Sequence, residues 1–201
     1  LKAKNNFNKI MGFLFVASLI LSSCGKKMPE KKFIGDRPFS LFNQDSSKVT
    51  FPNNFYGKII AIGFIYTNCP DICPLITHNL QMIQQKAKED GIKNLQILAL
   101  SFDPQRDTPS KLKEFGDIRG VDYSNFQFLT GNKQSIDSIL HKMDVIAIPG
   151  DTTIADGKKI YFFTHTDRIT LIDKNGYIRN EYRGSTANIA YVINDIKKLG
   201  D

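Results

Sequence analysis

KIIAIGFIYTNCPDICP, Lys58 to Pro74, decides how the rest of the chain is read. Lys58 to Tyr66 is a near-continuous apolar run, the pattern of a strand covered on both faces. Two cysteines four residues apart, Cys69 and Cys73, follow at once. Ile76, Leu80, Ile83 and Ala87 then recur at i, i+4, i+7 and i+11, one apolar face of a helix that Gly91 ends. A proline deep in a helix breaks its hydrogen-bond ladder, so a turn is expected from Cys69 to Cys73, with the regular helix starting near Pro74.

The flanking sequence alternates in the same way. Leu95 to Leu100 reads as a second buried strand. Thr108-Pro109 reads as an N-cap with proline at the first helical position, opening a helix to about Phe115. Phe126 to Leu129 is a short strand, and Asn132 caps a helix with Ile136, Ile139, Leu140 and Met143 on one face. Ile169 to Ile172 and Tyr177 to Tyr182 flank Asn175-Gly176, a strong hairpin signal. Ser185 or Thr186 is expected to cap a last helix with Ile189, Val192, Ile193 and Ile196 inward. Upstream, Phe39 to Phe42 and Lys48 to Phe51 flank a polar turn, Asn43 to Ser47, and are expected to form a small hairpin. This order predicts one α/β domain over residues 37–201, with a mixed central sheet flanked by helices in a thioredoxin-like layer arrangement.

The 201 residues are 41% hydrophobic and 23% charged, with 15 Phe, 7 Tyr and no Trp, a balance that excludes a disordered chain. A multi-pass membrane protein is excluded too, because only Ile10 to Leu21 is a long apolar stretch. Preceded by Lys2, Lys4 and Lys9, that stretch reads as the core of a bacterial secretory signal, too short to cross a bilayer comfortably. It closes with Leu21-Ser22-Ser23-Cys24, which resembles a lipobox, so residues 1–24 are expected to be a lipoprotein signal with Cys24 carrying the lipid. Both this reading and an uncleaved anchor place the rest outside the cytoplasm, on the periplasmic face of the cell envelope. Gly25 to Asp36 is polar and aperiodic and is read as a tether, reaching about 35–40 Å if fully extended. The formal charge of +7 loses three lysines with the signal, leaving +4 with no basic stripe, so no nucleic-acid partner is expected.

Lipidation of Cys24 leaves Cys69 and Cys73 as the thiols for chemistry. A thiolate beside a helix N-terminus has a lowered pKa and is both a better metal ligand and more readily oxidised. The bland alternative is an inert disulfide, but a bridge across one turn closes too small a loop to stabilise much. A metal needs a third ligand, and the chain has three histidines. His78 lies about 200° round the helix from Ile76, and His141 lies off its apolar stripe, so both should face solvent. His165, in Tyr161-Phe162-Phe163-Thr164-His165-Thr166, sits at the mouth of the strand pair before the last helix. The residues alone leave it open whether His165 is a ligand or an ordinary core or surface histidine.

Tyr66-Thr67-Asn68-Cys69-Pro70-Asp71-Ile72-Cys73-Pro74 closely resembles the signature of the Sco/SenC proteins. Ser101-Phe102-Asp103-Pro104-Gln105-Arg106-Asp107-Thr108-Pro109 is similar to their second motif, and His165-Thr166 falls where their ligand histidine stands. The resemblance runs from about Phe39 to Leu199. It implies a thioredoxin-like fold with CxxxC in place of CxxC, and copper held by Cys69, Cys73 and His165. It also implies delivery of that copper to the CuA-bearing subunit of cytochrome c oxidase. A soft set of two sulfurs and one nitrogen suits Cu(I), with Cu(II) a second candidate load, whereas zinc usually adds a fourth ligand. An oxidised pair cannot hold the ion.

The chain departs from the family pattern at Thr164, where an Asp often precedes the ligand histidine, so the group that orients the imidazole should differ here. Asp144 to Lys159 is a polar, insertion-like stretch without a readable role. Asp103, Arg106 and Asp107 are expected to brace the loop beside the cysteine turn. The implied function is a membrane-tethered, monomeric copper metallochaperone. The alternative is a thiol–disulfide reductase using Cys69 and Cys73 to keep the CuA cysteines reduced. A peroxiredoxin-like peroxidase fits less well, since no activating Arg in a Thr-x-x-Cys setting is evident near Cys69.

Overall fold

In the computed structural model the described residues are 28–155 and 158–200, so the expected signal segment and Cys24 lie outside them. The apolar run after Lys58 folds as β4 (Ile59–Ile65), buried along its whole length. It pairs in parallel with β5 (Leu95–Ser101), which pairs in parallel with β6 (Phe126–Thr130). This trio is extended on both sides by antiparallel strands. On one side lie β11 (Ile169–Ile172), β12 (Tyr177–Tyr182) and β1 (Lys32–Phe33). On the other lie β2 (Phe39–Asn43) and β3 (Lys48–Phe51). The eight-stranded order is β1-β12-β11-β4-β5-β6-β2-β3, a mixed sheet as expected.

Strands buried on both faces require helices on both, and four supply them: α1 (Ile72–Glu89), α2 (Pro109–Ile118), α3 (Lys133–Lys142) and α4 (Ile189–Gly200). α1 buries Ile76, Leu80, Ile83 and Ala87, the four residues its periodicity selects. It lies close on β4 because position 63 is glycine. A Cβ there would stand 2.7 Å from Ile76 Cγ2 and 3.0 Å from Leu80 Cδ1. Thr108 caps α2 by accepting from the Lys111 N–H, and Asn132 caps α3 by accepting from the Ser135 N–H. Gly176, at φ +86°, makes the turn between β11 and β12. His78 and His141 are exposed, as their helical phases require.

Four local expectations are corrected. α1 begins at Ile72, ahead of Pro74, because first-turn N–H groups have no acceptor within the helix and a proline there loses nothing. Cys73 is therefore inside the first turn. α2 runs on past Phe115 to Ile118. The cap of α4 is Asn188, whose Oδ1 accepts from the Tyr191 N–H at 3.3 Å, while the Ser185 N–H and hydroxyl both turn to Asp167. The end of the expected tether is part of the domain. Lys32 and Phe33 pair with Ile178 and Tyr177 of β12, and Ile34 is only 1% exposed. An uncovered β12 edge would leave backbone groups unpaired, and the Arg179 guanidinium adds a clamp on the Met28 and Pro29 carbonyls.

The stretch with no readable role also has structure. β7 (Ala147–Pro149) pairs antiparallel with β10 (Phe163–His165), and β8 (Thr153–Ala155) pairs with β9 (Lys158–Ile160).

Gly63→Val should destabilise the fold by about 1–3 kcal/mol, the usual cost of overpacking, and lower the urea midpoint of unfolding. An unchanged midpoint would mean that α1 does not press on β4 as described.

Candidate metal centre

β4 ends at Ile65, and its continuation puts Tyr66, 1% exposed, under the cysteine turn. Cys69 is 8% exposed and Cys73 fully buried, and both are free thiols. The Tyr66 N–H donates to Cys73 Sγ at 3.4 Å, and the Cys69 N–H donates to the Tyr66 carbonyl at 3.3 Å. His165 reaches the same place from the end of β10, with Nε2 3.6 Å from Cys73 Sγ. One ligand atom from each of Cys69, Cys73 and His165 lies within 4.8 Å of the other two. A first-row metal with bonds of about 2.3 Å to sulfur and about 2.0 Å to nitrogen spaces trigonal ligand atoms about 3.7–4.0 Å apart. The cluster needs only small adjustments to meet that spacing. Its mouth is a cleft of about 240 Å³ lined by Cys69, Pro70, Ile72, Phe162 and His165 among others.

The imidazole is oriented by backbone. Nδ1 lies 3.1 Å from the Thr166 carbonyl, which can only accept, so Nδ1 carries the proton and the Nε2 lone pair faces Cys73 Sγ. Thr164, pointing outward, is not needed for this, and the chain's departure from the family pattern leaves the ring fixed. Phe102 packs against the ring at a centroid distance of 4.8 Å, and Tyr66 meets it edge-on at 5.9 Å.

The two thiols differ sharply. Cys69 is pushed down to about 4, first because the Cys73 thiol donates a hydrogen bond to its sulfur, and then, against the opposing effect of burial, through the Cys73 and Asp71 N–H groups. Cys73 moves the opposite way, raised by that same donated bond and by burial. The reduced pair therefore holds one proton at neutral pH, on Cys73.

Both halves of the site hang from the loop after β5. Asp107, fully buried, accepts from the Thr67 N–H at 3.0 Å, the Thr67 hydroxyl at 2.5 Å and the Ser101 hydroxyl at 2.6 Å. This fixes the turn two residues before Cys69. Asp103, 2% exposed, accepts from Arg106 Nε and from the Tyr161 hydroxyl at 3.0 Å. Arg106 lies 3.6 Å over the Tyr161 ring and donates to the Tyr161 carbonyl at 3.0 Å. The Phe163 N–H donates to the Tyr66 hydroxyl at 3.3 Å, completing the hold on β10. The bracing expected of Asp103, Arg106 and Asp107 is present. Tyr161 escaped the sequence reading, because its partners lie more than fifty positions away and no periodicity marks it.

A parallel β4–β5–β6 core, an antiparallel β11–β12 hairpin and a cysteine turn between β4 and α1 define a thioredoxin-like protein. The SCO1/SenC family pattern matches residues 27–201, and the chain belongs to that family. It is 29% identical to the SCO1 protein homolog of Bacillus subtilis over 185 residues, 89% of this chain and 90% of that one. A SCO1/SenC family lipoprotein from Bacillus anthracis superposes with a TM-score of 0.72 at 28% identity, covering 88% of this chain and 99% of that one. Copper-bound ScoI of Bradyrhizobium japonicum gives 0.65 at 26% identity, covering 81% and 98%.

Alkylation of the fully reduced chain should modify Cys69 at pH 6 nearly as fast as at pH 8, leaving Cys73 untouched in the folded state. An ordinary thiol of pKa about 8.5 would slow by nearly two orders of magnitude over that interval. Such slowing at Cys69, read by mass spectrometry of the labelled peptides, would contradict the assigned asymmetry.

Proposed function

We propose that the chain is a membrane-tethered copper metallochaperone in which Cys69, Cys73 and His165 hold Cu(I) for delivery to the CuA centre of cytochrome c oxidase. The observation that carries this reading is the convergence of the three ligand atoms within 4.8 Å. Two soft sulfurs and one imidazole, with no further His, Cys, Asp or Glu in the cluster among the described residues, suit a three-coordinate Cu(I) better than zinc. The copper-bound relative supports the choice of ion, and the Sco family is one of cytochrome c oxidase assembly proteins. The lipoprotein relative supports lipidation at Cys24. No helix among the described residues is long and apolar enough to cross a membrane.

The chain's own groups prepare the site for its cargo. Nε2 of His165 presents a lone pair, Cys69 is already a thiolate, and Cys73 gives up its proton on loading, so binding strengthens as pH rises. The cleft at Cys69 leaves one side open to an incoming ligand, the route by which a receiving site can take the ion.

The asymmetry of the thiols also favours a second reading, a thiol–disulfide reductase for the CuA cysteines. The Cys69 thiolate would attack a substrate disulfide to form a mixed disulfide. Cys73, on losing its proton, would then displace the reduced substrate thiolate, leaving the chain oxidised. His165 has no part in that exchange.

Competition with a Cu(I) chelator should give one copper per reduced chain and none per oxidised chain. In His165→Ala the affinity should fall at least about tenfold, equivalent to about 1.4 kcal/mol. Unchanged affinity, together with disulfide exchange that also ignores the substitution, would remove the chaperone reading and leave the reductase.

A further inference from the structure

The chain enters the fold at the end of the sheet away from the metal centre. β4 runs toward the cysteine turn, and β11 runs antiparallel to it, with Ile169 opposite Gly63 and Ile172 opposite Ile60. The β11–β12 turn therefore lies beside the start of β4, and Ile178 of β12 stands opposite Ile172 there. β1 adds Lys32 opposite Ile178 and Phe33 opposite Tyr177, so it joins the sheet at this same end. The residues before β1 stay there too. Arg179 donates to Asp173 Oδ2 at 2.6 Å, and the same guanidinium donates to the Met28 and Pro29 carbonyls. Cys24 is four residues before Met28, a span of at most about 14 Å. From Ile60 to Ile65 the strand climbs about 17 Å, and Cys69, Cys73 and His165 gather beyond Ile65.

The entry end presents aromatic rings and lysines. The Phe33 and Tyr177 rings pair at a centroid distance of 4.9 Å. The Tyr56 hydroxyl donates to the Gly35 carbonyl at 3.2 Å, and a Cβ on Gly176 would stand 3.2 Å from Tyr56 Cε1 and 3.5 Å from Phe33 Cε2. The three rings thus gather round the β11–β12 turn, with Phe33 38% and Tyr56 44% exposed and Tyr177 half-buried. Lys58 immediately precedes β4, and Lys93 adjoins Asn94, whose carbonyl accepts from the Ile59 N–H at 2.8 Å. Lys174 lies in the β11–β12 turn, where its carbonyl accepts from the Gly57 N–H at 3.0 Å. None of these three lysines pairs with a carboxylate among the described residues, whereas the nearby acids Asp173 and Glu30 both face Arg179.

We propose that this end, with Phe33, Tyr56 and Tyr177 among Lys58, Lys93 and Lys174, is a membrane-contact surface that sits on the anionic headgroups of the bilayer anchoring Cys24, and that the cysteine–histidine centre is held at the opposite end, facing away from the lipid. The proposal rests on the lipid anchor in the functional reading above. The short leash names the occupant: Met28 stays within about 14 Å of the lipidated residue, so this end is the part of the domain that the bilayer meets first. The chemistry of the surface matches that occupant. Amphipathic tyrosine rings favour the headgroup level, and lysines, with Lys26 and Lys27 of the leash among them, are attracted to an anionic leaflet. The metal centre then stands about 20–35 Å above the lipid, the climb of β4 plus the reach of the leash. A membrane-bound acceptor is served in this orientation only if its copper-receiving site is raised to a similar height on a domain of its own.

The chain contains no Trp, so a single introduced one reports position cleanly. Tyr56→Trp marks the entry end. Ile148→Trp marks the metal end, since Ile148 is exposed on β7 and pairs with Thr164, next to His165. Each full-length lipidated chain is inserted into preformed phosphatidylethanolamine–phosphatidylglycerol vesicles that carry a dansyl acceptor on a fraction of their headgroups. Energy transfer to the headgroups should be at least twice as great in Tyr56→Trp as in Ile148→Trp, and adding Lys58→Glu and Lys93→Glu together should narrow that difference. Equal transfer from the two positions, or greater transfer in Ile148→Trp, in a chain that floats with the vesicles overturns the orientation and leaves the anchor standing. A difference that the double substitution leaves unchanged overturns the lysine–headgroup contact. A difference that appears only once a CuA-bearing domain is added overturns the lipid contact and assigns the orientation to a protein. A chain that does not float with the vesicles removes the anchor and this orientation together.

Discussion

Two buried carboxylates at the end of one strand hold the site together. A carboxylate excluded from water is tolerated only where hydrogen-bond donors or a positive charge satisfy it, so Asp103 and Asp107 dictate what surrounds them. Asp107 is satisfied by Ser101 and Thr67, which fixes the backbone just before Cys69. Asp103 is satisfied by Arg106 and Tyr161, which fixes the chain four residues before His165. The ligands come from segments 92 positions apart, and one short loop after β5 gathers both. Burial pushes the Asp107 carboxyl up, against the pull of its Ser101 and Thr67 bonds, which favour the charged form.

Within that frame the sulfur chemistry follows from one shared proton. Cys73 is buried in the first turn of α1 and keeps the proton, while Cys69, at the rim, carries the charge. A soft ion that replaces the proton gains two thiolates and an imidazole already facing inward, at little cost in reorganisation. The same asymmetry makes Cys69 a capable nucleophile, which is why holding metal and exchanging disulfides draw on one geometry. His165 separates the two, since only metal binding requires it.

Much of the fold was legible because it rests on local pattern. The apolar run of β4, the helix faces of α1 and α3, the caps Thr108 and Asn132 and the Asn175-Gly176 turn each follow from spacing within a few residues. Helical phase alone also placed His78 and His141 in solvent, which left His165 the one histidine open to the role, and the family resemblance then implied it as the third ligand. The start of α1 was harder, because a proline in the first turn and one just after it look alike in sequence. β1 depends on an edge supplied by β12, nearly 150 residues away. β7 and β10 are three residues each, too short to show a period, and their alternation becomes visible only once His165 is known to point inward. Tyr161 and the Thr166 carbonyl have no sequence signal, since both act through long-range placement or through backbone.

The central claim is that an imidazole and two sulfurs meet at one ion. X-ray absorption at the copper edge of the reduced, Cu(I)-loaded full chain tests it most directly. The account predicts about two sulfurs near 2.3 Å and one nitrogen near 2.0 Å, with the imidazole outer-shell scattering lost in His165→Ala. A first shell of oxygen and nitrogen alone, or a spectrum that His165→Ala leaves unchanged, would contradict it.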